Sequence, residues 1–212
     1  MLLLGHRGSR TSRSVRENTF VAFDLALEHG CDGFEFDVRV SRDGVPVVCH
    51  DAKFRRLSIS TTAASRLQEL PSLKAVLERY STRAFLDIEL KISGMESRVL
   101  RLLSKHPPQQ GFVVSSFLPS VLLELRRLDA QVSLAGICGN TRQLRRWREL
   151  PIQTVIAHQS LVTRRLLDDV HRVDMQLYVW TVNRASTMAR LAKWGVDGII
   201  SDKTDVLVQT QR

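Results

Sequence analysis

Eight short apolar runs alternate with amphipathic stretches along this chain of 212 residues. Each run has the length of a β-strand, and the apolar residues between the runs recur at helical spacing. The runs are 2–5, 34–38, 84–90, 112–117, 132–137, 154–158, 176–181 and 197–201. Eight strands, each followed by a helix or a terminal segment, are typical of a (β/α)₈ barrel. We therefore predict an α/β fold of the TIM type.

A ninth apolar run, VPVVC at 45–49, follows Arg42-Asp43-Gly44. Asp-Gly between two strands is a hairpin signal. We expect a short extra hairpin strand outside the barrel and only a small insertion after it. A doubly wound open sheet shares the same alternation, but no Gly-x-Gly-x-x-Gly follows the first run. No linker-like composition interrupts the chain, which predicts one domain over 1–212.

The charge balance bounds the choice of partners. The net charge is +9, from 31 Lys and Arg against 22 Asp and Glu, which favours anionic partners. Much of the excess lies at 125–128 and 142–149, where solvated helix faces are an equally good explanation.

Aromatic residues make up 6% and no nucleic-acid-binding motif occurs. No run approaches the roughly 20 apolar residues of a membrane span, and MLLLGHRG is too short for a signal peptide, so we expect a cytoplasmic protein.

Carboxylates interrupt two of the apolar runs near their ends. Glu35 and Asp37 share one face of a strand, about 6.6 Å apart. At an effective dielectric of 20, two bare carboxylates at that distance repel by roughly 2.5 kcal/mol. Glu89 adds a third acid from the next strand, and three converging carboxylates favour Mg²⁺ or Ca²⁺. The alternative is neutralisation in structural ion pairs by nearby basic residues, namely Arg7, Arg39 or Lys91.

Two histidines reach the same end of the predicted barrel. His6 lies at the tip of the first strand, and His50 ends the hairpin that the acid-bearing strand begins. Imidazoles with an ordinary pKa near 6.5 serve as general base and general acid at neutral pH. Arg7, followed by the bare backbone of Gly8, suits a phosphate oxygen.

Six sequence blocks carry a resemblance to a known family. They are GHRG (5–8), ENT (17–19), GFEFDVRVSRDGVPVVCHD (33–51), DIELK (87–91), VWTVN (179–183) and DGIISD (197–202). In this order they resemble the glycerophosphodiester phosphodiesterase family over nearly the whole chain. The resemblance implies a metal-dependent enzyme that hydrolyses small-molecule glycerophosphodiesters to glycerol 3-phosphate and an alcohol.

The resemblance also implies roles for individual residues. His6 and His50 match the acid/base pair, and Arg7 and Lys91 match the phosphate contacts. The residues that match ligands of one divalent cation, Mg²⁺ or Ca²⁺, are Glu35, Asp37 and Glu89. Trp180 matches an aromatic residue of the substrate cleft, with plain packing as the alternative. Asn18 matches the family block as well, but it is also a good N-cap for the helix that follows.

Two departures and several open choices accompany the resemblance. Arg16 stands where the family often has proline, and only 52–70 separate the His-Asp block from the next helix, which leaves substrate specificity open. The sequence does not decide the metal, the roles of the two histidines, the attacking oxygen, the head group or the oligomeric state. Two other functions are an inactive barrel that binds phosphodiesters or, weakly, an acidic membrane surface, and a nucleic-acid-binding protein, which the composition disfavours.

Overall fold

The structure is a computed structural model that describes residues 1–11 and 14–211. The strands in chain order are β1 (Leu2–His6), β2 (Gly33–Val40), β3 (Pro46–Val48), β4 (Lys53–Phe54), β5 (Leu57–Ser58), β6 (Phe85–Leu90), β7 (Phe112–Ser116), β8 (Leu134–Cys138), β9 (Thr154–His158), β10 (Gln176–Trp180) and β11 (Gly198–Ser201). The α-helices are α1 (Phe20–Glu28), α2 (Leu73–Tyr80), α3 (Glu96–Lys105), α4 (Pro119–Leu128), α5 (Thr141–Leu144), α6 (Arg164–His171), α7 (Ala185–Trp194) and α8 (Thr204–Gln211).

Within these described residues, eight parallel strands close into a ring. Their order is β1-β11-β10-β9-β8-β7-β6-β2, and β2 pairs again with β1. Leu3 pairs with Ile199 on one side of β1, while Leu4 pairs with Gly33 on the other. Closure removes both sheet edges, which an open sheet would keep. The predicted (β/α)₈ barrel is therefore confirmed, and the open-sheet alternative is wrong.

The predicted extra strand also forms. β3 runs antiparallel to β2 outside the ring, with Val38 opposite Val48. Gly44 in the connecting turn has φ +81°, a conformation that glycine adopts without a steric penalty. After this hairpin, β4 and β5 pair as a two-stranded ribbon, and two short 3₁₀ turns follow at Ile59–Thr61 and Ala64–Arg66. The insertion is as small as predicted.

Strand side chains alternate between two cores. The outward side chains pack under the helices, where Phe23 of α1 stacks on Phe34 of β2 with ring centroids 4.2 Å apart. The inward side chains fill the barrel and include Leu4, Ile156 and Ile200. Side chains alternate between the two faces of a strand, so every second residue points into the barrel. Each inward series begins with apolar residues and ends near the carboxyl end of its strand. Among the described residues, no helix combines the length and the hydropathy that a membrane crossing needs.

Candidate active site

The carboxyl ends of the strands surround a cavity of about 150 Å³. One side carries charged groups from β1, β2 and β6, and the opposite side is apolar and aromatic. The residues that line it are His6, Arg7, Glu35, His50, Asp87, Glu89, Lys91, Phe117, Ile137, Ile156, Trp180 and Ile200. Seven of the eight residues predicted as site residues therefore line one cavity, and the eighth, Asp37, lies buried beside Glu89.

The three predicted acids converge. Asp37 of β2 is directly opposite Glu89 of β6 in the parallel register. Glu35, Asp37 and Glu89 are buried, and one carboxylate oxygen of each lies within 4.8 Å of the others. Strand pairing thus brings together three carboxylates that the sequence separates by up to 54 positions.

Two of the three predicted basic residues contact this acid cluster. Lys91 Nζ is 2.7 Å from Glu89 Oε1 and 3.2 Å from Asp37 Oδ1. Arg7 Nε lies 3.3 Å from Asp37 Oδ2. Arg39 points elsewhere, since its Nε donates to the carbonyl oxygen of His50 at 2.8 Å. Ion pairing therefore contributes to charge balance through Arg7 and Lys91, but the expectation for Arg39 is wrong.

The pKa values of the three acids are shifted in different directions, because burial and repulsion raise them while the basic neighbours lower them. Burial, reinforced by Asp37, raises the pKa of Glu89 to about 7. Burial and the neighbouring carboxylates also raise the pKa of Glu35 well above its ordinary value. Burial acts on Asp37 in the same sense, but Arg7 and Lys91 outweigh it and hold its pKa below the ordinary value. Asp37 is thus the anion that the two basic residues stabilise.

The remaining carboxylate charge fits a divalent cation. Glu35 Oε1 is buried without a hydrogen-bond partner among residues 1–11 and 14–211. Asp87 adds a fourth buried acid, whose pKa burial raises to about 7. These four acids face two basic side chains, so neutrality needs either protons or a cation. An all-oxygen set of donors suits Mg²⁺ or Ca²⁺.

His6 is fixed by residues from the other end of the chain. Its Nδ1 donates to Asp202 Oδ1 at 2.8 Å, and Asn183 Nδ2 donates to the second oxygen of the same carboxylate at 2.7 Å. Burial raises the pKa of Asp202, but these contacts outweigh burial, and the pKa lies below its ordinary value. Because Nδ1 is engaged in the hydrogen bond to Asp202, Nε2 is the nitrogen that faces the cavity, and it lies 3.9 Å from Glu35 Oε2. The carboxylate therefore sets both the ring orientation and the tautomer.

His50, which also lines the cavity, has the same arrangement. Its Nδ1 donates to Asp51 Oδ1 at 2.8 Å, which leaves Nε2 free to act. The His50 side chain is 35% exposed, against 12% for His6. One histidine is thus enclosed, whereas the other is partly exposed to solvent.

The turn after β1 presents Arg7 to the acids. Arg7 and Gly8 both have positive φ, +56° and +84°, and the Arg7 N–H donates to Glu35 Oε2 at 2.9 Å. Only a bare backbone fits at Gly8, where a Cβ would lie 2.6 Å from the carbonyl carbon of Ala22. Arg7 Nη1 is held by Glu17 at 2.8 Å. The glycine therefore lets the arginine fold back over β2.

Asn18 does not cap α1; Thr19 occupies that position and accepts from the Ala22 N–H. Asn18 is instead buried against the acid cluster. Its Nδ2 donates to Asp37 Oδ2 at 2.8 Å, while its Oδ1 accepts from the Asp37 N–H at 3.3 Å. Its φ of +56° is one that asparagine tolerates better than most residues. The N-cap interpretation is wrong, and Asn18 positions an acid.

Trp180 forms part of an aromatic wall opposite the acids. Its ring packs edge-on against Phe117 and His158, with centroids 5.6 and 5.5 Å apart. The indole Nε1 is buried and has no hydrogen-bond partner among the described residues. Trp180 therefore both packs against its neighbours and lines the cavity.

Sequence reasoning missed four supporting residues: Asn18, Asp87, Asn183 and Asp202. The sequence offers a helix cap as an alternative role for Asn18, and it predicts no role for the other three, although Asp87 begins a matching block and Asn183 and Asp202 each end one. Asp87 accepts a hydrogen bond from Ser115 Oγ at 2.6 Å beneath the cavity. Membership of the matching blocks is the available signal; the partners of these residues are not visible in the sequence.

Known proteins resemble this chain in sequence and in fold. A model of the glycerophosphoryl diester phosphodiesterase family matches residues 6–93 and 83–206. A glycerophosphodiester phosphodiesterase of Caldanaerobacter subterraneus subsp. tengcongensis is 26% identical over 239 residues, covering 100% of this chain and 98% of that protein. The crystal structure of a glycerophosphodiester phosphodiesterase from Thermotoga maritima superposes with a TM-score of 0.84 at 25% identity, covering 98% of this chain and 97% of the other.

A phosphodiesterase of Oleispira antarctica, solved in complex with the product sn-glycerol-3-phosphate, has a TM-score of 0.88 at 24% identity. The match covers 100% of this chain and 96% of that one. At this identity the likeness concerns the fold.

Proposed function

The chain belongs to the glycerophosphoryl diester phosphodiesterase family and is a phosphoric diester hydrolase; from that premise we propose that it hydrolyses glycerophosphodiesters to glycerol 3-phosphate and an alcohol, by general acid-base catalysis with His6 and His50 and with one divalent cation, Mg²⁺ or Ca²⁺. One domain over 1–212 carries this activity. The observation that supports the proposal most is the convergence of Glu35, Asp37 and Glu89 beside both histidines.

The charged side of the cavity binds the phosphate. Glu35, Asp37 and Glu89 would hold the cation, which supplies neutralisation of the diester charge and polarisation of a P–O bond when it is bound. Arg7 and Lys91 hold non-bridging oxygens and stabilise the more anionic transition state. Trp180 closes the cavity on the opposite side and limits the access of water.

The histidines move the protons. One Nε2 takes the proton from the attacking oxygen, which belongs to water or to a neighbouring glycerol hydroxyl. In the second case the product is a cyclic phosphate, which water then opens to glycerol 3-phosphate. The other gives a proton to the oxygen of the leaving alcohol. Asp202 and Asp51 keep both rings oriented, because each holds the corresponding Nδ1 at 2.8 Å.

Removal of the cation tests the proposal directly. We expect EDTA to abolish turnover of glycerophosphocholine and added Mg²⁺ or Ca²⁺ to restore it. Glu35→Gln should lose turnover but keep the fold, since it removes a buried acid that its neighbours repel. Glu78→Gln, which changes an exposed acid of α2, is the matched control and should keep full activity.

Full turnover in EDTA would contradict the metal assignment. Binding of glycerophosphocholine without turnover at any cation concentration would instead favour the inactive barrel. The intact set of two histidines and three acids argues against that outcome, because a protein that only binds phosphodiesters has no need of them.

A further inference from the structure

A second depression adjoins the catalytic cavity at the same end of the barrel. This β8 groove lies between the start of α4 and α5 and has a volume of about 330 Å³, larger than the cavity itself. Phe117 and Ile137 line both. The remaining residues that line the groove are Ser116, Pro119, Cys138, Asn140, Arg142, Gln143, Arg146 and Leu150.

The wall between the two spaces is thin. Gly139 stands at the boundary, and a Cβ there would come within 3.5 Å of Phe117 and 3.9 Å of Trp180. On the cavity side, Lys91 Nζ lies 5.7 Å from the centre of the Phe117 ring. A substituent on a phosphate held by Lys91 therefore passes the Phe117 ring to reach the β8 groove, without a side chain at position 139 in its way.

The β8 groove carries positive charge without a counterion. The segment 142–149 holds four arginines and a single acid, Glu149. Glu149 pairs with Arg146 at 3.0 Å. Arg142 is exposed and forms no ion pair within the described part of the chain, and no acid lines the groove. Solvated helix faces explain Arg145 and Arg148, and Arg146 lines the groove but is paired with Glu149, whereas Arg142 lines the groove unpaired.

The depression beside His50 is the competing path, and acids as well as basic residues line it. Arg16 and Arg55 line it, but both lie over the Phe54 ring at 4.7 and 5.7 Å. Arg55 also pairs with Glu69 at 2.7 Å. Lys53 lines the same depression as well, but so do two acids, Glu17 and Asp51, whereas no acid lines the β8 groove. An anionic group therefore gains more from the β8 groove.

We propose that the β8 groove binds a second phosphate group carried by the leaving alcohol, with Arg142 as its principal contact. The inference rests on the proposed function and names its substrate class: glycerophosphodiesters whose alcohol is itself phosphorylated. A guanidinium fork matches a phosphate in two parallel hydrogen bonds. The neighbouring Asn140 and Gln143 are engaged within the α5 turn, where they accept from the Gln143 and Gly139 N–H groups.

A matched pair of substrates tests the proposal. Glycerophosphoglycerol is compared with its analogue phosphorylated on the terminal hydroxyl of the leaving glycerol, in the holoenzyme with Mg²⁺. We expect kcat/KM to be about tenfold or more higher for the phosphorylated diester, the effect of one charge-assisted contact. Arg142→Ala should bring the ratio to about one, and Arg142→Glu below one, because like charges repel.

Arg145→Ala removes the same charge from the same segment but outside the β8 groove, so it should keep the wild-type ratio. Equal kcat/KM values for the two diesters in the wild type would overturn the proposal. An equal fall of the ratio in Arg145→Ala would also overturn it, since the preference would then reflect overall charge. Failure of the proposed function itself is distinct, because neither diester would be turned over.

Discussion

At the scale of single residues, the two histidines differ in exposure but share one arrangement, a carboxylate on Nδ1. We expect His6→Ala and His50→Ala each to lower kcat by about 10²-fold or more, the usual size of a general acid or base contribution. The double variant should be little worse than either single one, because groups that act together are not additive. Steady-state kinetics at saturating substrate measure this. A near-normal kcat in one single variant would remove that histidine from the mechanism.

Asn18 gives a second prediction at this scale. Asn18→Gly keeps the positive φ accessible but removes both contacts to Asp37, so we expect the affinity for Mg²⁺ or Ca²⁺ to fall by about tenfold, as for other residues that orient metal ligands. Calorimetric titration of the cation-free protein measures it without reference to turnover. Thr19→Gly removes the true N-cap next to it and serves as the control, which should lower stability but leave cation affinity unchanged. Unchanged affinity in Asn18→Gly would contradict the positioning role.

Residue types at strand tips were predictable, whereas their partners were not. Glu35, Asp37 and Glu89 could be grouped because alternation and strand order place them on one face at one end. The choice between a cation and ion pairs could not be made, since Lys91 and Arg39 look alike in the sequence. Only the turn geometry after β3 directs Arg39 to the His50 carbonyl. Asp202 could not be assigned to His6, because 196 positions separate them and ring closure alone brings them together.

At the scale of elements, the turn from β1 into α1 requires glycine at position 8, for its positive φ and for its close packing. Gly8→Ala would add strain at φ +84° and a clash with the backbone of Ala22, so we expect it to cost at least about 2 kcal/mol of the free energy of unfolding. Gly94→Ala is the matched control: φ is +93° but nothing lies within 4 Å, so only about 1 kcal/mol of backbone strain remains. Urea denaturation compares the two. Equal losses would show that the close packing against α1 is unimportant.

The elements themselves followed from local chemistry. All eight apolar runs became ring strands, because each is short, apolar and separated from the next by a helical pattern. Asp43-Gly44 correctly predicted the β2–β3 hairpin. Helix starts were harder to predict from the sequence, as Thr19 shows, because neighbouring polar residues are equally suitable N-caps by residue type. Which one caps the helix depends on where the buried strand behind it needs a hydrogen-bond donor.

At the scale of the whole molecule, the acid cluster couples stability to pH. The pKa of Glu89 and that of Asp87 are raised to about 7, from ordinary values of 4.5 and 3.8. Between those values the cation-free folded protein binds more protons than the unfolded chain, so these groups stabilise it at low pH. Their contribution disappears as pH rises through about 7. A bound cation requires ionised carboxylates, so its stabilising effect grows over the same range.

We therefore expect the gain in Tm on replacing EDTA with Mg²⁺ or Ca²⁺ to be larger at pH 8 than at pH 5. The measurement is a thermal unfolding series, with Glu89→Gln as the reference for groups elsewhere in the protein. In EDTA, wild type should lose Tm relative to Glu89→Gln as pH rises. A gain that is independent of pH would show that the acids are not the cation ligands.

Ring closure through β1 has a consequence for the synthesis of the chain. The histidine at position 6 is synthesised 196 positions before Asp202, which orients it. β1 likewise cannot complete its pairing before β11 has been made. A nascent chain therefore carries nearly all of its chemical groups without an assembled site. The site is therefore assembled only after β11 and Asp202 have been made, whatever the order in which the earlier elements fold.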